Sequence, residues 1–210
     1  MVIVAASNNP GKIKEFNALL DHLGIRVIPI GEMDGNFHPE ETGSSFRENA
    51  LIKARAAAQE TGLPALADDS GLEVDALNGR PGIRSSRYAG DNPTDDENNQ
   101  KLLEELKPYS LAQRTARFHA VAALVLPDGQ EFTSTGKLEG VILDECKGTC
   151  GFGYDPLFYI PELKKTMAEL TIEEKNQISH RSRAFSGLTH TLKGLQESVY
   201  SCLIAGVAQW

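Results

Sequence analysis

The chain is short of cysteine, of aromatic residues, of positive charge and of long apolar runs, and each shortage removes a class of answers. Three cysteines in 210 residues, at 146, 150 and 202, are too few and too scattered for a disulfide framework. Cys146 and Cys150 have the spacing of a zinc half-site, but no second Cys/His pair at ligand spacing accompanies them. This usage fits a reducing cytosol, and hence a cytoplasmic location. No window reaches the ~20 consecutive apolar residues that a bilayer-spanning helix needs, so no membrane partner is expected. The opening Met1-Val2-Ile3-Val4-Ala5-Ala6 lacks a basic region and runs straight into a helix signal. It reads as a first strand, not a signal peptide. Lys and Arg number 21 against 29 Asp and Glu, a net charge of -8. Proteins that grip duplex nucleic acid usually present a basic face, so nucleic acid is not an expected partner either. A small anionic ligand in a local basic pocket remains compatible.

What is present describes an ordinary globular chain, with 40% apolar and 24% charged residues. The length suits one domain over residues 1–210, or two small lobes around one cleft. After the first strand, Asn9 offers an N-cap and Pro10 a first helical residue. Ile13, Phe16, Leu20 and Leu23 then recur at helical spacing up to Gly24. Ile25 to Ile30 reads as a second strand. Ser45 and Glu48 have capping-box spacing at the head of a helix carrying Phe46, Ala50, Ala54, Ala57 and Ala58. Asn49 and Lys53 share another face of it. Leu63 to Ala67 reads as a buried strand, Leu72, Val74 and Ala76 continue with alternating apolar character, and Asn92-Pro93-Thr94 starts a helix expected to run to about Lys107. Thr115–Leu126 and Glu131–Leu143 are long strands joined at Pro127-Asp128-Gly129, a hairpin signal. A last helix is expected from about Ser182 to Ile204. The alternation indicates α/β, with the hairpin making the sheet mixed.

Ala67-Asp68-Asp69-Ser70-Gly71 is the most informative stretch. Two carboxylates follow the apolar run and a glycine breaks the chain after them. In an open α/β sheet, ligands bind beyond the carboxyl ends of strands. Unpaired carboxylates are poor core residues. Asp68 and Asp69 are therefore expected at a strand end, suited to holding Mg²⁺ and taking a proton from water, or closing a turn. Ser7-Asn8-Asn9-Pro10-Gly11-Lys12 lies between a strand and a helix N-terminus, a natural phosphate site, though without Walker A spacing. Glu40-Glu41-Thr42-Gly43 could place a metal ligand opposite the Asp pair or merely complement a helix dipole. Gly148 to Asp155 interleaves glycines with Phe152 and Tyr154, which suits stacking on a nucleobase or filling a core. Lys175 to Arg181 packs Lys, His and Arg into an acidic protein, as a phosphate or purine-edge clamp or as a solvated helix start. His119 reads as structural. A Ser-His-Asp hydrolase lacks its G-x-S-x-G motif.

These segments, with Arg80-Pro81-Gly82-Ile83-Arg84-Ser85-Ser86-Arg87-Tyr88-Ala89-Gly90, stand in the order of one family. From about Val2 to Leu195 the chain resembles the non-canonical purine nucleoside triphosphate pyrophosphatases, the inosine triphosphate pyrophosphatase or Ham1-like family, in its bacterial dITP/XTP pyrophosphatase type. The resemblance implies an elongated mixed α/β fold, two lobes around a central nucleotide-binding cleft, and a homodimer. It implies Mg²⁺-dependent hydrolysis of ITP, dITP and XTP to the monophosphate and pyrophosphate. Carried onto this chain, it assigns Ser7, Asn8, Asn9, Pro10, Gly11 and Lys12 to the triphosphate, with help from Lys53. Asp69 becomes the metal-linked proton acceptor and Ser70 a substrate contact. Phe152, Gly153, Tyr154, Asp155, Lys175, His180 and Arg181 would surround base and sugar. The metal set is Asp68, Asp69 and either Glu40 or Glu41. Two departures stand out: Cys150 where relatives often have Gly, and a long apolar tail from Ser198 to Trp210. Two alternatives stay open, a Maf-type pyrophosphatase for modified pyrimidine or methylated nucleotides and a non-catalytic nucleotide-binding regulator. Phe152–Asp155 with Ser179–Arg181 argue against the first, and the carboxylates argue against the second.

Overall fold

A computed structural model describes residues 1–33, 35 and 37–197. The Ser198–Trp210 tail, with Cys202, lies outside the described residues. The opening is strand β1 (Val2–Ala5), helix α1 (Pro10–Leu20) and strand β2 (Arg26–Pro29). The Asn9 side chain accepts the Lys12 N–H and Pro10 stands in the first turn, as the sequence predicts. α1 runs out through a 3₁₀ turn to Gly24, whose φ of 62° is left-handed. Helix α2 (Phe46–Thr61) starts at Ser45, whose hydroxyl accepts the Glu48 N–H. Only half of the expected capping box forms. The Glu48 carboxylate bonds the Ser44 N–H (2.6 Å) and hydroxyl (2.8 Å), one residue early.

Strand β3 (Ala65–Val74), helix α3 (Asp95–Leu106) and strands β4 (Thr115–Val125) and β5 (Glu131–Ile142) follow. Two short strands, β6 (Phe158–Ile160) and β7 (Lys165–Thr166), precede helices α4 (Ile172–Ile178) and α5 (His180–Ser186). All seven strands join one mixed sheet in the order β2-β1-β3-β4-β5-β6-β7. β1 pairs parallel with β2 and β3, and every other pairing is antiparallel. The mixed α/β expectation holds.

Two expectations need correction. The Asp pair does not stand beyond a strand end, because β3 continues for ten residues and carries Asp68 and Asp69 in its middle. Gly71 does not break the chain. It is buried within the strand, where a Cβ would collide with the Gly82 carbonyl and the Ser85 hydroxyl. The last helix begins at His180 and is interrupted at Gly187-Leu188 before helical residues 189–197. Gly187 stands where a Cβ would meet the Ser134 hydroxyl on β5, so the break falls where sheet and helix touch.

The core falls into three clusters. Leu66, Ala120, Ala122 and Leu124 face α1 and α5 through Phe16, Leu20 and Phe185. Ala65, Ala67, Val121 and Ala123 face α2 through Phe46, Ala50, Ala54 and Ala57. The third joins Leu72 and Val74 to Leu102, Phe118, Tyr154 and Phe158 in the other half of the molecule. β3 and β4 run through both halves, so their middles lie at the junction.

Helix α5 packs tightly on Gly136 of β5, where a Cβ would run into the His180 carbonyl, the Ala184 nitrogen and the Arg183 Cβ. Overpacking of this kind costs about 1–3 kcal/mol. Gly136→Ala is therefore expected to lower Tm by several degrees in a thermal melt. An unchanged Tm would show that α5 can yield at no cost.

Candidate active site

Side chains of adjacent strand residues point to opposite faces of a sheet. That alternation separates the two aspartates. Asp68 shares the face of Leu66 and points toward α1 and α5, whereas Asp69 shares the face of Ala67 and points toward α2. Both are buried, at 3% and 8% exposure, contrary to the expectation that carboxylates would avoid the core. Paired charges remove the objection to burial.

Asp68 is held from three sides. Lys12 Nζ lies 2.9 Å from Oδ1, Arg181 Nε 3.0 Å from Oδ2, and the Ser70 hydroxyl donates to Oδ2 at 3.0 Å. Burial alone would raise its pKa. Lys12, Arg181 and Lys53 outweigh that and hold the carboxyl well below the usual range. Arg181 also pairs with Glu15 of α1, and Glu15 reaches Lys175 at 3.1 Å. Lys175 in turn binds Asp155 at 2.7 Å. The result is a buried chain of alternating sign, Asp155–Lys175–Glu15–Arg181–Asp68–Lys12, with three acids and three bases.

Asp69 has different company. Lys53 Nζ lies 2.7 Å from its Oδ1 and 3.0 Å from Glu41 Oε1, and Asn49 donates to Oδ2 at 3.4 Å. Burial pushes the Asp69 carboxyl up despite Lys53, and the Glu41 charge adds to that. Burial would lower Lys53, but Asp69, Asp68 and Glu41 outweigh it and keep the ammonium charged. The two carboxylates share one buried ammonium, and the exposed Arg87 guanidinium reaches Glu41 Oε2 at 4.0 Å from the rim.

Between these clusters opens a cleft. Phe152 forms part of its wall, with Lys175 Nζ 5.0 Å and the Arg181 guanidinium 5.6 Å from the ring centre. Gly11 runs beneath that ring, where a Cβ would approach to 3.1 Å. His180 stacks on Phe118 at 4.8 Å, and its buried Nδ1 has no hydrogen-bond partner among the described residues. The Tyr154 hydroxyl donates to the Ser85 carbonyl at 2.8 Å.

Of the residues singled out in the sequence, the fold brings Asn9, Lys12, Glu41, Lys53, Asp69, Ser70, Phe152, Gly153, Tyr154, Asp155, Lys175, His180 and Arg181 onto this cleft. Ser7 and Asn8 line an adjoining hollow that shares Glu41 and Lys53. Pro10 and Gly11 line neither hollow; they shape the start of α1. Asp68 lies behind the cleft rather than on it. Glu40 is exposed and lines neither, so Glu41 is the glutamate that faces Asp69 through Lys53. Lys175, His180 and Arg181 are buried, not a solvated helix start. Cys146 and Cys150 are exposed free thiols. Sequence reasoning missed Glu15 and the wall formed by Ile83, Ser85, Ser86, Asp95, Asn98 and Phe118. Glu15 carried a faint signal, three residues after Lys12 on α1. Among the described residues, no helix is long and apolar enough to cross a membrane.

A model of the Ham1 family matches residues 3–191. A dITP/XTP pyrophosphatase of Desulforamulus reducens is 52% identical over 195 residues, covering 93% of this chain and 97% of that protein. One from Geobacter sulfurreducens is 51% identical, over 88% of this chain and 92% of its own length. Among solved structures, a Ham1 protein from Coxiella burnetii superposes with a TM-score of 0.83 at 49% identity. The Staphylococcus aureus Ham1 protein gives 0.82 at 47%. Both cover 92% of this chain and 99% of the compared chain.

Burial, with the nearby Arg181 and Lys175, holds His180 well below its ordinary value of 6.5. The folded state therefore refuses a proton that the unfolded chain accepts below about pH 6.5. Stability on this account falls as pH drops through that value. His180→Gln should flatten the decline in Tm between about pH 7 and about pH 5.5. An identical decline in the variant would show that His180 does not cause it.

Proposed function

The chain belongs to the Ham1 family, and from that membership and the cleft we propose that it hydrolyses ITP, dITP and XTP to the nucleoside monophosphate and pyrophosphate, clearing non-canonical purines from the nucleotide pool. The observation that carries the reading is the division of labour across β3. One aspartate is neutralised in a structural chain of charges, and its neighbour stands in the cleft beside a second carboxylate.

Asp69 and Glu41 fit a divalent metal. They converge on one ammonium, and Mg²⁺ is commonly held by one or two carboxylates with phosphate and water completing its sphere. When bound, Mg²⁺ would neutralise charge on the phosphate oxygens. Asp68, expected as a further ligand, is better placed as the anchor that orients Lys12 and Arg181.

The chain's own residues then divide as follows. Lys12, Lys53 and the N–H groups around Ser7 to Gly11 at the head of α1 receive the phosphates. Asp69, steadied by Asn49 and made less acidic than an ordinary carboxyl by its burial, accepts the proton of the water that attacks the α-phosphorus. Phe152 offers a ring face to the purine. Lys175, Arg181 and neutral His180 supply donors for a 6-oxo edge, which a 6-amino group would not satisfy. The cytoplasmic location follows from a role in the nucleotide pool, and a homodimer from the family resemblance.

The test is pyrophosphate release from ITP, XTP, GTP and ATP at equal concentration, with and without Mg²⁺. Rapid Mg²⁺-dependent release from ITP and XTP, with little from ATP or GTP, is expected. Asp69→Asn should lower kcat by about 10²–10⁴ with the fold intact. Orthophosphate as the first product, or near-normal turnover in Asp69→Asn, would overturn the mechanism.

A further inference from the structure

We propose that Asp95 is a positioning residue for nucleobase selection, acting through the backbone of Gly153 on the wall that carries Phe152 and Asp155. The inference rests on the function proposed above and extends it to a residue outside the ion-pair chain.

The helix cap does not require Asp95. Thr94 and Glu97 satisfy the start of α3 reciprocally, with the Thr94 N–H donating to Glu97 at 2.7 Å and the Glu97 N–H to the Thr94 hydroxyl at 3.2 Å. Asp95 turns instead across the cleft, where its Oδ2 accepts the Gly153 N–H at 2.7 Å. One helical turn on, Asn99 donates to the Gly153 carbonyl at 3.0 Å. Both backbone polar groups of one glycine are thus held by the same helix. Gly153 has φ 62°, and Gly148 and Gly151 nearby have φ 85° and 84°. A segment so rich in left-handed glycine has many backbone alternatives. A bond to an ionised acceptor selects one of them.

The selected arrangement bears on the base. Phe152, next to the clamped glycine, donates its N–H to Asp155 at 3.0 Å, and Asp155 holds Lys175. Asn98 ties the opposite loop to the same helix, accepting the Ala89 N–H at 2.8 Å and donating to the Ser86 carbonyl at 3.3 Å. The first turn of α3 therefore sets the spacing between two walls of the cleft, and Asp95 and Asn98 line it themselves. Losing the clamp leaves Asp69, Glu41 and Lys53 untouched. Its cost falls on binding and discrimination rather than on the chemical step.

The experiment compares the full-length wild type with Asp95→Ala and with Asp95→Asn, whose amide oxygen can still accept from Gly153. Amide exchange over residues 150–155 is measured without nucleotide, and kcat and KM are measured for ITP and GTP. In Asp95→Ala, exchange at Gly153 should accelerate and KM for ITP should rise about tenfold, the equivalent of one lost hydrogen bond to a charged group. kcat should stay within about twofold and the preference for ITP over GTP should narrow. Asp95→Asn should recover most of both effects. Faster exchange with unchanged KM and preference would overturn the proposal while leaving the pyrophosphatase reading intact, as would exchange that does not change. A wild type that releases no pyrophosphate from ITP would instead defeat that reading, and this proposal with it.

Discussion

The structure depends on the burial of Arg181 between Asp68 and Glu15. A guanidinium at 2% exposure is tolerable only because two carboxylates and the Ser70 hydroxyl each accept from one of its three nitrogens. That one residue fastens α5 to the middle of β3 and to α1. Through Glu15 and Lys175 it also reaches Asp155 in the base-side wall. Removing one partner of a buried pair typically costs 3–5 kcal/mol, because the other is left uncompensated. The chain therefore locks the geometry of both ends of the cleft together. Its six charges cancel among themselves, whereas Asp69 and Glu41 share Lys53, with the exposed Arg87 guanidinium 4.0 Å from Glu41 at the rim.

The pleat of β3 turns a repeated residue into two functions. Asp68 and Asp69 are chemically identical and adjacent, yet their partners come from different helices on different faces. Desolvation acts on both. Two close cations overcome it at Asp68, whereas at Asp69 a single lysine shared with Glu41 does not. Environment, not residue type, separates the ion-paired Asp68 from Asp69, the proposed proton acceptor.

How much of this was legible in the sequence follows from the range of each interaction. The Asn9-Pro10 start of α1, the Thr94 start of α3 and the β4–β5 hairpin are written in neighbouring residues, and they stand where the local signals put them. The end of β3 was misplaced because Gly71 is there for Gly82 and Ser85, contacts invisible to local pattern. The break at Gly187 answers Ser134 on a distant strand in the same way. Glu15 was overlooked because its partner Arg181 is 166 residues away. The choice between Glu40 and Glu41 turns on which of two consecutive side chains faces Lys53, and no composition rule decides that.

The proposed cation site lies on the carboxylates that face each other across Lys53. The decisive experiment is a Mg²⁺ titration of pyrophosphate release at saturating ITP, with the wild type beside Glu40→Gln and Glu41→Gln. Glu41→Gln is expected to raise the Mg²⁺ requirement by at least about tenfold, as loss of one of two carboxylate ligands should, while Glu40→Gln superimposes on the wild type. Equal shifts in both variants, or the larger shift in Glu40→Gln, would put the cation elsewhere.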